Sequence, residues 1–312
     1  MARLKTARFR LYFRAGGKIF LPKYKGATFR GVFGTVFKEV AAQKGLSRAY
    51  VEIFETPNDG RFPDYSSKYA PKPFVLEAPV TAKRRYREGE IFYMDLILVG
   101  RAIRMAPELI YIFDEAGKTN GIGKGRQNGF GRFRLLKAAL LIDRSEVLYY
   151  QDQNIHLDIS RLEHSAPWPE TPTDELLLVH FITPTHIQYN GAVVEKRAAS
   201  LTFEALVNSL YRRLFYLFGF HQQMPDHSLQ KLEILETPPM EIVEKKLSWE
   251  HVRYYSNRQQ KKVPLGGFRG TLMVRGAWQP YLPLLKLGEK VHVGNATTFG
   301  FGKYRISMDD SF

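Results

Sequence analysis

Two stretches of this sequence combine glycines, cations and aromatic rings in a pattern suited to holding phosphate. GIGKGRQNGFGRFRLL runs from Gly121 to Leu136, and GEKVHVGNATTFGFGKYRI from Gly288 to Ile306. Both contain Gly-Phe-Gly, then a basic residue, an aromatic, Arg and an aliphatic. Gly129 aligns with Gly300, Gly131 with Gly302 and Gly123 with Gly294, all at an offset of 171. Glycine lets backbone N–H groups approach phosphate oxygens with no Cβ in the way. Candidate phosphate contacts are Lys124 and Arg126 in the first stretch, and Gly294, Thr297, Thr298, Gly300 and Gly302 in the second. Phe299, Phe301 and Tyr304 either stack on bases or fill a core.

Two further clusters have the same chemistry. Lys83, Arg84, Arg85 and Arg87 surround Tyr86, which reads either as phosphate contact with a stacking ring or as a solvated loop. Arg253, Ser256, Arg258 and Gln259, followed by Lys261 and Lys262, group donors for phosphate and ribose oxygens, or form a charged loop beside a sheet edge. All eight histidines lie beyond residue 155, and none shows an H-E-x-x-H or similar metal spacing. His292 stands out because it lies inside the second glycine stretch; His221 closes a helix and His251 borders the donor cluster. The glycine loops precede strands rather than helices, which disfavours a Rossmann site, and no P-loop motif occurs.

Composition agrees with a nucleic-acid partner. The 312 residues carry 46 Lys+Arg against 31 Asp+Glu, a net charge of +15 that predicts a polyanionic ligand. At 44% hydrophobic the chain is globular, with length for two cores. It contains no cysteine, no apolar run of membrane length and no signal-peptide core, so the expectation is a cytoplasmic protein without disulfides, thiolate metal sites or a membrane partner.

The elements that must position these groups follow from periodicity. Residues 7–14 alternate basic and apolar, a strand with one solvated basic face. A helix follows from an N-cap at Thr28 through Lys44 to Gly45, with Phe29, Val32, Phe33, Val36, Phe37 and Val40 on one stripe. Gly31 and Gly34 suggest a close approach to that helix. Residues 49–55 read as a strand, 56–73 as an extended loop, 74–78 and 91–99 as strands, 101–116 as a helix and 132–142 as a strand. This is the split β-α-β order of the ferredoxin-like fold. The composition shifts across 151–175. Beyond it, 176–182 reads as a strand, and TFEALVNSLYRRLFYLFG mirrors TFRGVFGTVFKEVAAQKG at an offset of 174, pairing Thr28 with Thr202 and Gly45 with Gly219. Residues 272–274 read as a strand, 281–287 as a short helix, and the second glycine stretch and final strand close the unit. Two correspondences at nearly one offset indicate a duplication. The expectation is an α+β chain of two tandem ferredoxin-like (RRM-like) domains, 1–160 and 175–312, the second with a C-terminal glycine-rich loop.

These pieces together resemble the RAMP superfamily of CRISPR-associated proteins. HFITPT (180–185), RRLFYLFGFH (212–221), the R-x-x-S-x-R-Q segment (253–259), LGGFRG (265–270) and PLLKLGEKVHVGNATTFGFGKYRI (283–306) resemble the repeat-processing endoribonucleases, Cas family six. FRGVFG, PFVLEAP, LILVGRA and GIGKGR agree more loosely in the first half. The resemblance implies binding of CRISPR repeat RNA and crRNA in a basic cleft between the domains. It also implies metal-independent cleavage in which the ribose 2′-OH attacks the adjacent phosphate, with no cofactor. A CRISPR effector complex and a homodimer are the further partners it implies. Many members carry a catalytic His in or near the first helix. This chain has no His before position 156, and that region offers Tyr24, Lys25, Arg30 and Lys38 instead. Catalytic candidates are therefore His292, Lys38, Tyr24 and Arg30; RNA contacts are Lys25, Arg84 and Arg85 with the glycine-loop and donor-cluster residues named above. The alternatives are a non-catalytic RAMP subunit holding crRNA and a generic RNA-binding tandem module.

Overall fold

The computed structural model describes residues 4–143, 145–159, 175–189, 192–193, 201–222, 232–256 and 261–308. Two compact units form: Met1–Pro57, Lys72–His164 and Ser256–Lys261 in the first, Asn58–Pro71, Ser165–Tyr255 and Lys262–Phe312 in the second.

In unit 1, strand β1 (Thr6–Ala15) buries alternate residues, as its period of two requires. A short strand β2 (Ile19–Phe20) precedes helix α1 (Gly26–Lys44), which ends at left-handed Gly45. The helix begins two residues before the expected cap at Thr28, with Lys25 in the capping position. Its predicted stripe is buried, and Phe33 lies parallel to Phe113 with ring centroids 4.5 Å apart. Gly34 has a local cause: an added Cβ would stand 2.5 Å from Arg30 Nη1, so the glycine makes room for a guanidinium of its own helix. Residues 49–55 are not a strand. They continue helix α2 (Ser47–Tyr50) as a π-helical turn over Val51–Glu55. Tyr50 and Phe54 are four residues apart, so coiling brings their rings to 5.2 Å from each other and both against Phe37.

The remainder is β3 (Phe74–Glu77), β4 (Arg85–Tyr86), β5 (Ile91–Val99), a 3₁₀ turn over Gly100–Met105, α3 (Ala106–Thr119), β6 (Phe133–Ile142), β7 (Ser145–Gln151) and β8 (Asn154–Ile155). Pro107, near the start of α3, marks where the α-helix proper begins. The main sheet runs β3-β5-β1-β6-β7-β8, and β2 pairs with β4 separately.

Unit 2 repeats the plan with β9 (Leu176–Thr185), the small hairpin β10 (Gln188–Tyr189) and β11 (Ala192–Val193), α4 (Phe203–His221), β12 (Glu241–Ser256), β13 (Lys261–Arg275), α5 (Leu282–Val291) and β14 (Tyr304–Ser307). Its sheet runs β12-β13-β9-β14. Within each βαββαβ unit the order is second, third, first, fourth strand, the ferredoxin-like arrangement expected from the sequence.

Thr202 caps α4 as predicted, its Oγ1 accepting from Ala205 N–H at 3.1 Å. The helix passes through Gly219 to His221, however, instead of ending at the glycine. Gly219 answers to residues 58–71: a Cβ there would stand 2.2 Å from the Phe62 ring. Phe62 is buried against Phe215, Tyr216 and Phe220. Arg61 donates to Gly219 O at 3.0 Å, and a His221 ring nitrogen lies 2.5 Å from Pro71 O. This loop, written between α2 and β3, completes the core of unit 2.

Candidate nucleic-acid interface

The two glycine stretches fold as one turn built twice. Each contains a 3₁₀ turn, Arg126–Asn128 or Thr297–Phe299, closed by a left-handed glycine, Gly129 or Gly300. Ile122 N–H donates to Gly131 O at 2.9 Å, and Val293 N–H to Gly302 O at 3.0 Å. Gly131 N–H reaches Lys18 O and Gly302 N–H reaches Pro184 O, both at 2.9 Å. Lys124 N–H donates to Phe20 O, and Asn295 N–H to His186 O. An added Cβ would stand 2.2 Å from Phe20 O at Gly123 and 2.3 Å from His186 O at Gly294. The same atom would stand 2.1 Å from Ile122 O at Gly131 and 1.9 Å from Val293 O at Gly302.

These amides are therefore taken up by bonds within the fold. Gly300 N–H serves Thr297 O, and Thr183 Oγ1 donates to Gly300 O at 2.8 Å. Thr297, Gly300 and Gly302 are buried, and Gly294 is placed by its tight packing on His186 O. Thr298 is half-buried. Phe301 and Tyr304 fill the core, Tyr304 Oη donating to Leu285 O at 2.6 Å. Burial raises the Tyr304 pKa well above the usual phenol range.

The two copies differ in their side chains. Phe301 is 0% exposed, whereas its counterpart Phe130 is 38% exposed. Phe130 lies over Gly125, where a Cβ would approach its ring to 2.7 Å, and meets Phe20 edge-on at 6.0 Å. Around these rings Arg84, Arg85, Lys124, Leu21 and Gly125 complete a pocket of about 470 Å³. The β2–β4 ladder sets Phe20 opposite Arg85, and Arg84 Nε donates to Leu21 O at 3.2 Å. The structure thus brings together Arg84, Arg85 and Lys124 from two distant stretches. Arg126 is exposed on the adjoining 3₁₀ turn. Sequence reasoning missed Phe20 and Phe130 and favoured Tyr86, which is buried against Phe92. The signal was available in the duplication: Phe130 is flanked by Lys124, Arg126, Arg132 and Arg134, a denser basic setting than that of Phe301.

Other expected site residues are elsewhere. Lys25 is 2% exposed and donates to Pro79 O at 3.1 Å and Thr81 O at 2.6 Å. Burial, then repulsion from Arg84, lowers its pKa. It braces the loop leading to Arg84 instead of facing solvent as an RNA contact. Arg30 packs its guanidinium over Phe54 at 4.4 Å, so it serves the core. His292 is 0% exposed, and its Nδ1 lies 2.8 Å from Phe301 O. The ring is enclosed by the fold and presents no surface to solvent. Lys38 is exposed on α1, and Tyr24 is half-buried just before that helix. Arg253 is exposed on β12 and Ser256 closes that strand; Arg258 and Gln259 lie outside the described residues.

The basic face expected on β1 is neutralised at Arg8 and Arg10, while Arg14 at its far end is exposed. Arg8 donates to Asp95 at 2.6 Å and to Glu77 at 2.6 Å, while Arg10 bonds Asp95 at 2.8 Å and Glu146 at 3.1 Å. The hydrogen bond to Asp95 raises the Arg10 pKa.

Comparison with known proteins places this geometry. No curated protein matches the chain. Residues 4–158 match a family described as an N-terminal domain. A partial Cas6-RT-Cas1–Cas2 complex superposes with a TM-score of 0.54 at 14% identity, covering 97% of this chain and 46% of that one, so the chain spans about half its length. A Cas6 product complex gives 0.52 at 16% identity, covering 97% of this chain and 100% of that one. Thermus thermophilus Cas6 gives 0.50 at 16% identity, covering 98% of this chain and 100% of that one. These likenesses show a shared two-unit fold. Residues 179–304 match the family model described as CRISPR-associated endoribonuclease Cas6.

Proposed function

We propose that this protein binds CRISPR repeat RNA and cleaves it within the repeat, leaving a 2′,3′-cyclic phosphate and a 5′-OH without a metal ion in the step. The observation that carries this reading is the Cas6 match over residues 179–304. The cationic pocket of unit 1 supports the RNA-binding part. In the reaction a base takes the 2′-OH proton, O2′ attacks phosphorus, the P–O5′ bond breaks and O5′ gains a proton. Cationic groups stabilise the charge that builds on the phosphorane oxygens. With His292 buried, Tyr24 for proton transfer and Lys38 for charge stabilisation are alternative candidates, since the stretch of α1 between them sets them about 20 Å apart and they cannot serve one phosphate together.

Labelled repeat RNA incubated with the protein in EDTA tests this directly. Cleavage with a cyclic phosphate at the new 3′ end is the expected result. Under single turnover, Tyr24→Phe should slow cleavage by roughly 10²–10⁴-fold if it moves a proton. Lys38→Ala should slow it instead if the scissile phosphate lies at the middle of α1, with RNA affinity changed little in either variant. Unchanged rates in both variants remove both residues from the chemistry. The burial of His292 and the lack of histidine before residue 156 favour a second reading, a subunit that holds crRNA without cutting it. Tight, repeat-selective binding without cleavage is its signature; binding without preference for the repeat indicates a generic RNA module.

A further inference from the structure

We infer that the pocket formed by Phe20, Arg84, Arg85, Lys124, Gly125 and Phe130 takes one unpaired nucleotide, its base stacked on Phe130 and its phosphate held by the cationic rim. The inference rests on the RNA-binding reading above and narrows it to single-stranded RNA.

The duplicated turn supplies an internal control. Gly129–Gly131 and Gly300–Gly302 share the left-handed glycines and the hydrogen bonds to their neighbours, yet Phe301 is fully buried and Phe130 is 38% exposed. The turn itself therefore does not require an exposed ring. Exposure of Phe130 belongs to unit 1, where that ring borders the pocket. The ring is also pre-positioned: Gly125 lies against it and Phe20 meets it at an interplanar angle of 72°. A ring held this way loses little freedom when a ligand stacks on it.

Charge and size select the ligand. Two arginines and a lysine line the pocket, and no carboxylate does, among the described residues. That complements a phosphate beside an aromatic face. A volume of about 470 Å³ suits one small ligand rather than a groove for a double helix. In a duplex the flat faces of the bases are covered by their neighbours. Only an unpaired nucleotide can offer a face to Phe130 while its phosphate reaches Lys124 or Arg85.

The test uses the full chain and a short oligouridylate carrying a single 5-iodouridine, irradiated to cross-link a base to a stacked aromatic ring. The adduct is mapped by peptide mass spectrometry, and affinity is followed by anisotropy of an end label. The expected adduct is on Phe130. Phe130→Ala should weaken single-strand binding about tenfold to a hundredfold, whereas Phe130→Trp should retain it. Phe130→Leu, which keeps apolar area but loses the ring, should behave like the alanine variant. Unchanged melting temperatures in these exposed-site variants confirm that folding is intact. RNA binding with adducts elsewhere and an indifferent Phe130→Ala variant overturns this inference while leaving the RNA-binding reading intact. Equal, Phe130-dependent binding of the annealed duplex overturns the unpaired requirement. Competition by uridine monophosphate as strong as by the oligonucleotide overturns the assignment to a nucleotide within RNA. Absence of any RNA binding by the wild-type chain overturns both readings.

Discussion

Asp95 decides what the basic residues of the first strand can do. Its carboxylate is buried and accepts from both Arg8 and Arg10, which are themselves 35% and 25% exposed. Removing the negative charge leaves two guanidinium groups facing a neutral amide at the edge of the core. Asp95→Asn should destabilise the fold by about 2–3 kcal/mol, below the full value for a buried pair because the arginines remain partly solvated. Urea denaturation measures this; a change within error would mean that water serves the arginines equally well. The same residue explains why Arg8 and Arg10 are poor guides to the RNA surface. A string of cations in the sequence records charge, but its partners come from β3, β5 and β7, which only the folded sheet brings alongside. His292 makes the same point for catalysis, since its burial follows from a left-handed backbone (φ 65°) and a bond to Phe301 O, neither of which its position in a glycine loop reveals.

Among the elements, the two glycine turns separate conformational from packing demands. Gly129 has φ 79° with open space around it, whereas Gly131 has φ 83° and a carbonyl 2.1 Å from any added Cβ. Gly129→Ala should cost only the left-handed penalty of about 1–2 kcal/mol. Gly131→Ala should be clearly worse, because backbone must move as well; thermal melting of the two variants side by side makes the comparison. Equal losses would show that the turn relaxes freely. The elements themselves were largely legible from periodicity: β5 matched its expected range, and the apolar stripe of α1 is the buried one. The helix over 47–55 was not, because two adjacent buried residues, Ile53 and Phe54, read as part of an apolar strand. Its Tyr50–Phe54 pairing was the helical signal. The candidate site was half legible. Its cations were visible, but the rings were not, because the short β2–β4 ladder that brings Phe20 to Arg85 gives almost no pattern in two-residue strands.

For the molecule as a whole, the 46 Lys+Arg overstate the cations free to meet a polyanion, since some, such as Arg8 and Arg10, are paired within unit 1, while the net charge of +15 is unaffected by that pairing. If Arg84, Arg85 and Lys124 together hold the phosphate of one nucleotide, replacing all three by alanine should lower the slope of log Kd against log salt by about 0.7, the value for one single-strand phosphate. An unchanged slope would place that phosphate elsewhere. No described helix is long and apolar enough to cross a membrane.

The loop of residues 58–71 has a consequence for synthesis. Its aromatic residues are made early, yet the helix that buries Phe62 is not complete until residue 221. At ordinary translation rates the nascent chain must carry Phe62 and Tyr65 uncovered for roughly 10–30 s. Unit 1 can assemble its sheet in that interval, but unit 2 waits on a segment already extruded. The order of emergence from the ribosome therefore makes this loop the place where a chaperone has most to shield.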